Sequence, residues 1–117
     1  MKIQNFYLED MLEAIDLVQK YLHGVTEEQF SCDRETQDAV IMRLMIIGEA
    51  ATKLTDEIKN QSPEIPWKTI VAFRNVAIHD YANIAINKVW EIYKQDLPPL
   101  YHQLKTLLNT LPPPPKV

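Results

Sequence analysis

Four side chains that can transfer protons or bind anions lie within eight residues of one another. They are the guanidinium of Arg74, the imidazole of His79, the carboxylate of Asp80 and the phenol of Tyr81. An imidazole exchanges protons near neutral pH. A guanidinium is permanently charged and can bind two phosphate oxygens at once. This combination of residue types predicts acid–base chemistry beside a phosphate group.

The segment from Trp67 to Tyr81 predicts a helix that presents these groups. Two prolines precede it, and its apolar residues share one face, namely Ile70, Phe73, Ala77 and Ile78. At about 100° per residue, Arg74 and Tyr81 would lie on one side of this helix, and His79 would point roughly 140° away from Arg74. Either the helix bends near residues 77–78, or a second copy of the chain completes the Arg–His pair.

Ordinary structural roles are also open to these side chains. Arg74 could pair with Asp80 or with a carboxylate such as Glu49, and Asp80 could cap the turn that follows. His79 could donate a hydrogen bond to a carbonyl at a helix end, and Tyr81 could be an amphipathic core residue. Residue types and spacing alone leave the structural and the functional interpretation open.

The string Arg74-Asn-Val-Ala-Ile-His79-Asp-Tyr81 has the form R-x-x-x-x-H-x-Y. It resembles the signature of HEPN-domain ribonucleases, in particular the HepT toxin family. Upstream, Ile46-Ile-Gly-Glu-Ala-Ala51 is similar to the Gly-Glu-Ala helix of that family. Downstream, Val89-Trp90 and Asp96-Leu-Pro98 also fit, so the resemblance covers nearly the whole chain.

The resemblance implies a ribonuclease with Arg74 and His79 as catalytic residues and Asn75 and Asp80 in support. His79 suits proton transfer at the ribose 2′-hydroxyl or the 5′ leaving oxygen, and Arg74 suits the charge that grows on the phosphoryl oxygens. We expect no metal or other cofactor. Dependence on the 2′-hydroxyl would select RNA over DNA. One chain offers one such histidine, so a homodimer with the cleft at its interface would supply both acid and base.

The resemblance also implies a partner and a means of control. HepT toxins pair with a minimal nucleotidyltransferase antitoxin, so we expect a toxin–antitoxin pair, as a homodimer or a larger assembly with the antitoxin. In that family the motif tyrosine accepts AMP groups from the antitoxin, and Tyr81 is the matching position. Inhibition by steric capping alone is the alternative. A second class of function is a non-catalytic helical adaptor that binds a nucleotidyltransferase or its nucleotide, with Arg74 on a phosphate.

Apolar residues recur at three- and four-residue steps along most of the chain, which is typical of an all-α fold. We predict an up-and-down bundle of four to five helices in one domain, residues 1–111, and a proline-rich tail, residues 112–117. A long helix should begin after Asp33 and continue to about residue 60. Its two apolar stripes predict dimerisation through this helix and the motif helix, and Gly48 should allow a close helix contact.

A last helix is expected near the C-terminal end of the chain. Leu100, Leu104 and Leu107 recur at helical spacing, and Pro98 and Pro99 precede them. Proline is tolerated in the first turn of a helix, where its missing N–H has no partner in any case. The two prolines either kink one continuous helix or open a new helix with Asp96 as its N-cap, and we predict the second.

Composition excludes several other classes of protein. The 117 residues, 46% of them hydrophobic, suffice for one domain with a modest core. The single cysteine lies in no metal-ligand pattern, and the chain shows no leader or membrane segment, so we expect a soluble cytoplasmic protein. A net charge of −4 argues against general nucleic-acid binding. Residues 67–117, however, carry +3 against −7 for residues 1–66, which is compatible with a local phosphate site or with a solvated helix surface.

Overall fold

The computed structural model describes residues 3–113, which form helices joined by short turns. The first five helices are α1 (Gln4–Leu22), α2 (Glu27–Ser31), α3 (Arg34–Lys53), α4 (Asp56–Asn60) and α5 (Trp67–His79). A 3₁₀ turn (Tyr81–Asn83), α6 (Ile86–Glu91), a π turn (Ile92–Asp96) and α7 (Leu97–Thr110) follow. Residues 3–113 contain no strand, so the predicted all-α fold is confirmed.

The long helices run alternately up and down. At the start of α1, the Gln4 side chain donates to the Lys53 carbonyl and accepts from the Thr55 N–H, just after α3 ends. Nearby, Asn5 Nδ2 donates to the Pro112 carbonyl after α7. Helix α1 is therefore antiparallel to both α3 and α7, and four long helical segments (α1, α3, α5 and α6 to α7) make the bundle. The predicted proline-rich tail is described only as far as residue 113; the rest of it lies outside the described residues.

One apolar face of α1 forms the centre of the core. Its fully buried side chains are Leu8, Met11, Ile15, Val18 and Leu22, which recur every three or four residues as the sequence predicts. Helices α3 and α7 pack on α1, and α5 packs on α3. The motif helix is thus held mainly by α3. Within residues 3–113, no helix is both long and apolar enough to span a bilayer.

The helix predicted to continue from Asp33 to about residue 60 is two helices. Asp33 is its N-cap as predicted, since its carboxylate accepts from the Thr36 N–H. The Thr55 hydroxyl, however, accepts from the Ile58 N–H and gives α4 an N-cap of its own, while Leu54 adopts an extended conformation. The apolar period continues across the break because Leu54 and Ile58 are both buried. The prediction of one long helix was therefore wrong.

The predicted helix capped by Asp96 is also corrected. Residues 86–110 are helical throughout, because the π turn joins α6 to α7, with the Leu97 N–H donating to the Ile92 carbonyl. Pro98 and Pro99 lie in the first turn of α7 as predicted, but Asp96 has helical dihedral angles and makes no capping bond. Prolines have no N–H for the carbonyls one turn earlier, which is a reason for the helix to widen there.

Candidate active site

Gly48 allows α5 to lie directly against α3 at the position of Arg74. A Cβ built on Gly48 would overlap the Arg74 Cβ and would stand 3.1 Å from the Ile70 carbonyl oxygen. No residue larger than glycine fits there without moving one of the two helices. The close approach predicted from Gly48 is confirmed, and it sets the distance between the backbone of Arg74 and α3.

The Arg74 guanidinium is fixed on one edge by Glu49. Nε donates to Glu49 Oε2 at 3.0 Å, and Nη2 lies 2.8 Å from the same oxygen. Nη1 donates to Asn75 Oδ1 at 2.8 Å. Of the structural partners considered for Arg74, the fold selects Glu49 rather than Asp80. Among residues 3–113, these contacts leave at least two of the five guanidinium N–H groups without a partner, and 27% of the side chain is exposed.

His79 is the last residue of α5, and its side chain is exposed. No side chain among residues 3–113 is hydrogen bonded to its imidazole. The helix continues past residues 77–78 without a break, so no break there turns His79 toward Arg74. Five residues of regular α-helix separate the two side chains by roughly 140° around the axis. One chain therefore presents the two motif residues on different sides of α5.

Tyr81 lies outside the motif helix, because α5 ends at His79. Asp80 leaves the helix with φ −149° and ψ 46°, and Tyr81 opens the 3₁₀ turn. The Asn83 N–H donates to the Asp80 carbonyl at 3.0 Å, and Asn83 Nδ2 donates to Asp80 Oδ1 at 2.8 Å. Arg74 and Tyr81 therefore do not lie on one continuous helical stripe, although both side chains bind α3, through Glu49 and Asp38. In this structure Asp80 shapes the turn that presents Tyr81.

The Tyr81 phenol is also bound to α3. Its hydroxyl donates to Asp38 Oδ1, and Arg34 Nε donates to the same oxygen at 3.3 Å. Partial burial, then the Asp38 carboxylate, raise the pKa of Tyr81 to about 12. The hydrogen bond from Tyr81, aided by Arg34, holds the pKa of Asp38 below its usual value. A cavity of about 200 Å³ adjoins these three side chains, and Gln37 and Ile84 also line it.

Asp38 and Arg34 were not among the residues predicted for the site. Asp38 lies 43 residues before Tyr81, on another helix. The one local signal is their spacing of four, typical of an ion pair on a helix surface, and it gives no indication of a tyrosine partner. Only the packing of the 3₁₀ turn on α3 brings the three side chains together.

A larger cavity of about 360 Å³ lies between α3, α5 and α7. Its walls are mostly apolar and include Ile70, Phe73, Leu97 and Leu100, but none of the motif residues predicted to act in catalysis. Within residues 3–113, no group of three or more His, Cys, Asp or Glu side chains is arranged to hold a metal ion. The titratable groups of the candidate site are therefore those at the end of α5 and on the facing part of α3.

Comparison with known proteins places this arrangement in a family. A family model described as "Ribonuclease HepT-like" matches residues 11–107. The chain is 39% identical over 101 residues to "Probable ribonuclease HepT" of Thermococcus cleftensis, a match that covers 86% of this chain and 92% of that protein. It is 32% identical over 109 residues to "Putative RNase TTE0752" of Caldanaerobacter subterraneus subsp. tengcongensis, covering 93% of this chain and 97% of that one.

A third relative carries more than this one domain. The chain is 35% identical over 105 residues to "Gamma-glutamylcyclotransferase and putative RNase MJ0434" of Methanocaldococcus jannaschii. That match covers 90% of this chain but 47% of the relative, so the shared part is about half of the longer protein. No solved structure matches the chain.

Proposed function

Because the chain belongs to the HepT-like ribonuclease family, we propose that it cuts RNA without a metal ion, using Arg74 and His79 in a cleft formed by two copies of the chain. The family match carries the ribonuclease activity. The geometry supports the choice of residues, since Arg74 is fixed but keeps free N–H groups, and His79 is exposed with no side-chain partner within residues 3–113.

The proposed reaction needs two proton-transfer groups on opposite sides of the scissile phosphate. One His79 takes the 2′-hydroxyl proton as the 2′-oxygen attacks phosphorus. A second His79 protonates the 5′-oxygen as its bond to phosphorus breaks, which leaves a cyclic phosphate. Arg74 binds the non-bridging oxygens, where negative charge grows. A single chain supplies one His79, so the two roles require two copies.

Exposed apolar side chains beside the motif support pairing of two chains. Of the thirteen residues of α5, only Ala77 is buried. Val76 and Ile78 are each 46% exposed, and Met42 on the facing part of α3 is 53% exposed. Burying such side chains would contribute about 25 cal/mol per Å². We propose that these residues lie in the interface of a homodimer, which would bring the two motif ends together.

We further propose that the protein is a toxin that a nucleotidyltransferase antitoxin inhibits by joining AMP to Tyr81. The phenol lies two residues from His79, at the surface of a turn. An added AMP brings a negative phosphodiester and a bulky nucleoside, which could cover His79. Charge and volume would then both exclude RNA.

RNA cleavage by the purified protein tests the catalytic assignment. Wild type should cut RNA equally well with and without EDTA. Replacing His79 or Arg74 by Ala removes a proton-transfer group or the charge on the phosphate, and should lower the rate by roughly 10²-fold or more. The matched control is His102→Ala, because His102 is also exposed and lies on α7.

Two results would contradict the assignment: loss of cleavage in EDTA, or wild-type rates for His79→Ala. If the wild type itself cuts no RNA but binds a nucleotidyltransferase, the chain acts as the non-catalytic adaptor instead.

A further inference from the structure

We propose that Asp38 is the general base for nucleotidyl transfer to Tyr81, so that this chain carries part of the catalytic machinery for its own modification. The inference rests on the proposed function, which makes Tyr81 the acceptor of AMP. It concerns a residue of α3 that the R-x-x-x-x-H-x-Y motif does not include.

The phenol of Tyr81 needs a base before it can act as a nucleophile. Burial and the neighbouring carboxylate raise the pKa of Tyr81 to about 12. At pH 7 only about one molecule in 10⁵ would then carry the phenolate. The reacting form is the deprotonated oxygen, so transfer is slow unless another group removes the proton as the bond to phosphorus forms.

Asp38 already has the geometry of that base. The Tyr81 hydroxyl donates a hydrogen bond directly to Asp38 Oδ1, with no intervening group. The Asp38 carboxylate is ionised at pH 7 and can accept a proton, because the hydrogen bond from Tyr81, aided by Arg34, holds its pKa below an ordinary value that already lies well under 7. Contact within hydrogen-bonding distance of the proton to be abstracted is the first requirement for a general base, and Asp38 meets it before any nucleotide arrives.

The proposed step balances in atoms and charge. The Tyr81 phenol oxygen attacks the α-phosphorus of a nucleoside triphosphate, and a tyrosyl phosphodiester forms. The bond from that phosphorus to the bridging oxygen breaks, and pyrophosphate leaves with the electron pair. The phenol proton passes to Asp38 Oδ1 and then to solvent. The nucleotidyltransferase supplies the bound nucleotide, and Asp38 of the acceptor chain supplies the base.

Arg34 supplies a positive charge that can bind the phosphodiester once it has formed. In the unmodified chain its Nε donates to the oxygen that accepts from Tyr81. Once Asp38 takes up the proton, that carboxyl is neutral and attracts Arg34 less. The guanidinium can then pair with the new phosphodiester beside the cavity of about 200 Å³ that Arg34, Asp38 and Tyr81 line.

The rate of AMP addition tests the proposal. Purified protein is incubated with a minimal nucleotidyltransferase of the antitoxin type, Mg²⁺ and ATP, and the mass gain is followed over time. Asp38→Asn keeps an oxygen that can accept from the phenol but loses the base, and should slow addition by about 10²-fold or more at pH 7. Glu35→Gln removes an exposed carboxylate from the same helix turn and should react as wild type.

A pH profile separates a base from a merely structural contact. Arg34 and Tyr81 are the charged or titratable groups that contact Asp38 within residues 3–113, and the pKa of Tyr81, about 12, lies above the range of pH 6 to 9. In Asp38→Asn the rate should rise about tenfold per pH unit, following the phenolate, whereas the wild-type rate should change little. Asp38→Glu restores a carboxylate and should recover most of the neutral-pH rate.

Failure of this inference differs from failure of the proposed regulation. If Tyr81→Phe blocks AMP addition but Asp38→Asn reacts at the wild-type rate at every pH, the nucleotidyltransferase supplies the base and the inference is overturned. If wild type gains no AMP, or Tyr81→Phe gains as much as wild type, Tyr81 is not the acceptor and both ideas fail.

Discussion

The guanidinium of Arg74 is held in place on one edge, while its other N–H groups can still bind a ligand. A guanidinium that hung freely from the helix would lose side-chain entropy on binding a phosphate, at a cost of about 1 kcal/mol or more. Here Glu49 and Asn75 have already ordered the side chain, and part of the fork remains open. The ordinary structural partner of Arg74 is therefore compatible with the proposed catalytic role, because it holds the charge in place.

Glu49→Gln tests this positioning of Arg74. The amide keeps one acceptor oxygen but loses the charge and adds a donor that repels the guanidinium, so Arg74 should become mobile. We expect kcat for RNA cleavage to fall by roughly 10- to 10²-fold with a smaller change in KM. Glu91→Gln, which removes the partner of the exposed Lys88, is the matched control and should have wild-type kinetics.

An unchanged kcat in Glu49→Gln would show that Arg74 finds its position without the carboxylate. Equal losses in Glu49→Gln and Glu91→Gln would point to a general effect of surface charge.

The sequence reveals the motif residues but not their partners. Arg74, His79 and Tyr81 are recognisable because their types and spacing are local properties of the chain. Asp38 is not, because its contact with Tyr81 depends on where α5 ends and how the following turn packs on α3. A shift of the helix end by one turn would leave the sequence motif unchanged and give Tyr81 another partner.

Helix faces were predictable where burial repeats every three or four residues, as in α1. Helix ends were less so, because they depend on single capping residues. The break between α3 and α4 follows from one hydroxyl, Thr55, and the apolar pattern passes through it unchanged. The end of α5 before Tyr81 likewise depends on the turn that Asp80 and Asn83 form.

The close contact of α3 with α5 at Gly48 predicts the effect of Gly48→Ala. By helix propensity alone, this change should stabilise α3 by about 1 kcal/mol. The added Cβ would instead overlap the Arg74 Cβ, so the helices must separate. We expect a loss of about 1–3 kcal/mol in the free energy of unfolding, measured by urea denaturation, and a loss of RNA cleavage. A more stable, fully active variant would contradict the close packing of these helices.

At the scale of the whole molecule, two exposed apolar side chains at the end of the motif helix are the proposed contacts of the homodimer. A lone exposed side chain of this kind needs no explanation, but Val76 and Ile78 flank the buried Ala77 next to His79. Their position beside His79 predicts that dimerisation and activity are lost together, because the proposed cleft lies in the proposed dimer interface.

Ile78→Glu should therefore convert a dimer, with twice the 13.6 kDa chain mass, into a monomer. A charge placed in an apolar interface stays unpaired, and its desolvation opposes association. Light scattering at micromolar concentration measures the mass, and the RNA assay should show a parallel loss of activity. The control is Phe6→Glu, because Phe6 is also an exposed apolar residue but lies on α1, and this variant should remain dimeric. A monomeric, active wild type would refute the shared cleft.

The π turn between α6 and α7 rotates the side chains of α7 around the helix axis relative to those of α6. It holds one residue more than a regular α-helix would. The residues after it are therefore rotated about the helix axis by about 100° from the positions that a regular α-helix would give them. Trp90 packs against Phe30 of α2, while Leu104 on the same continuous helix is buried in the core beside α1. Deleting one residue from this turn would restore a regular helix and turn Trp90 away from Phe30. The number of residues in this turn, and not their type, therefore decides which neighbour each half of the helix faces.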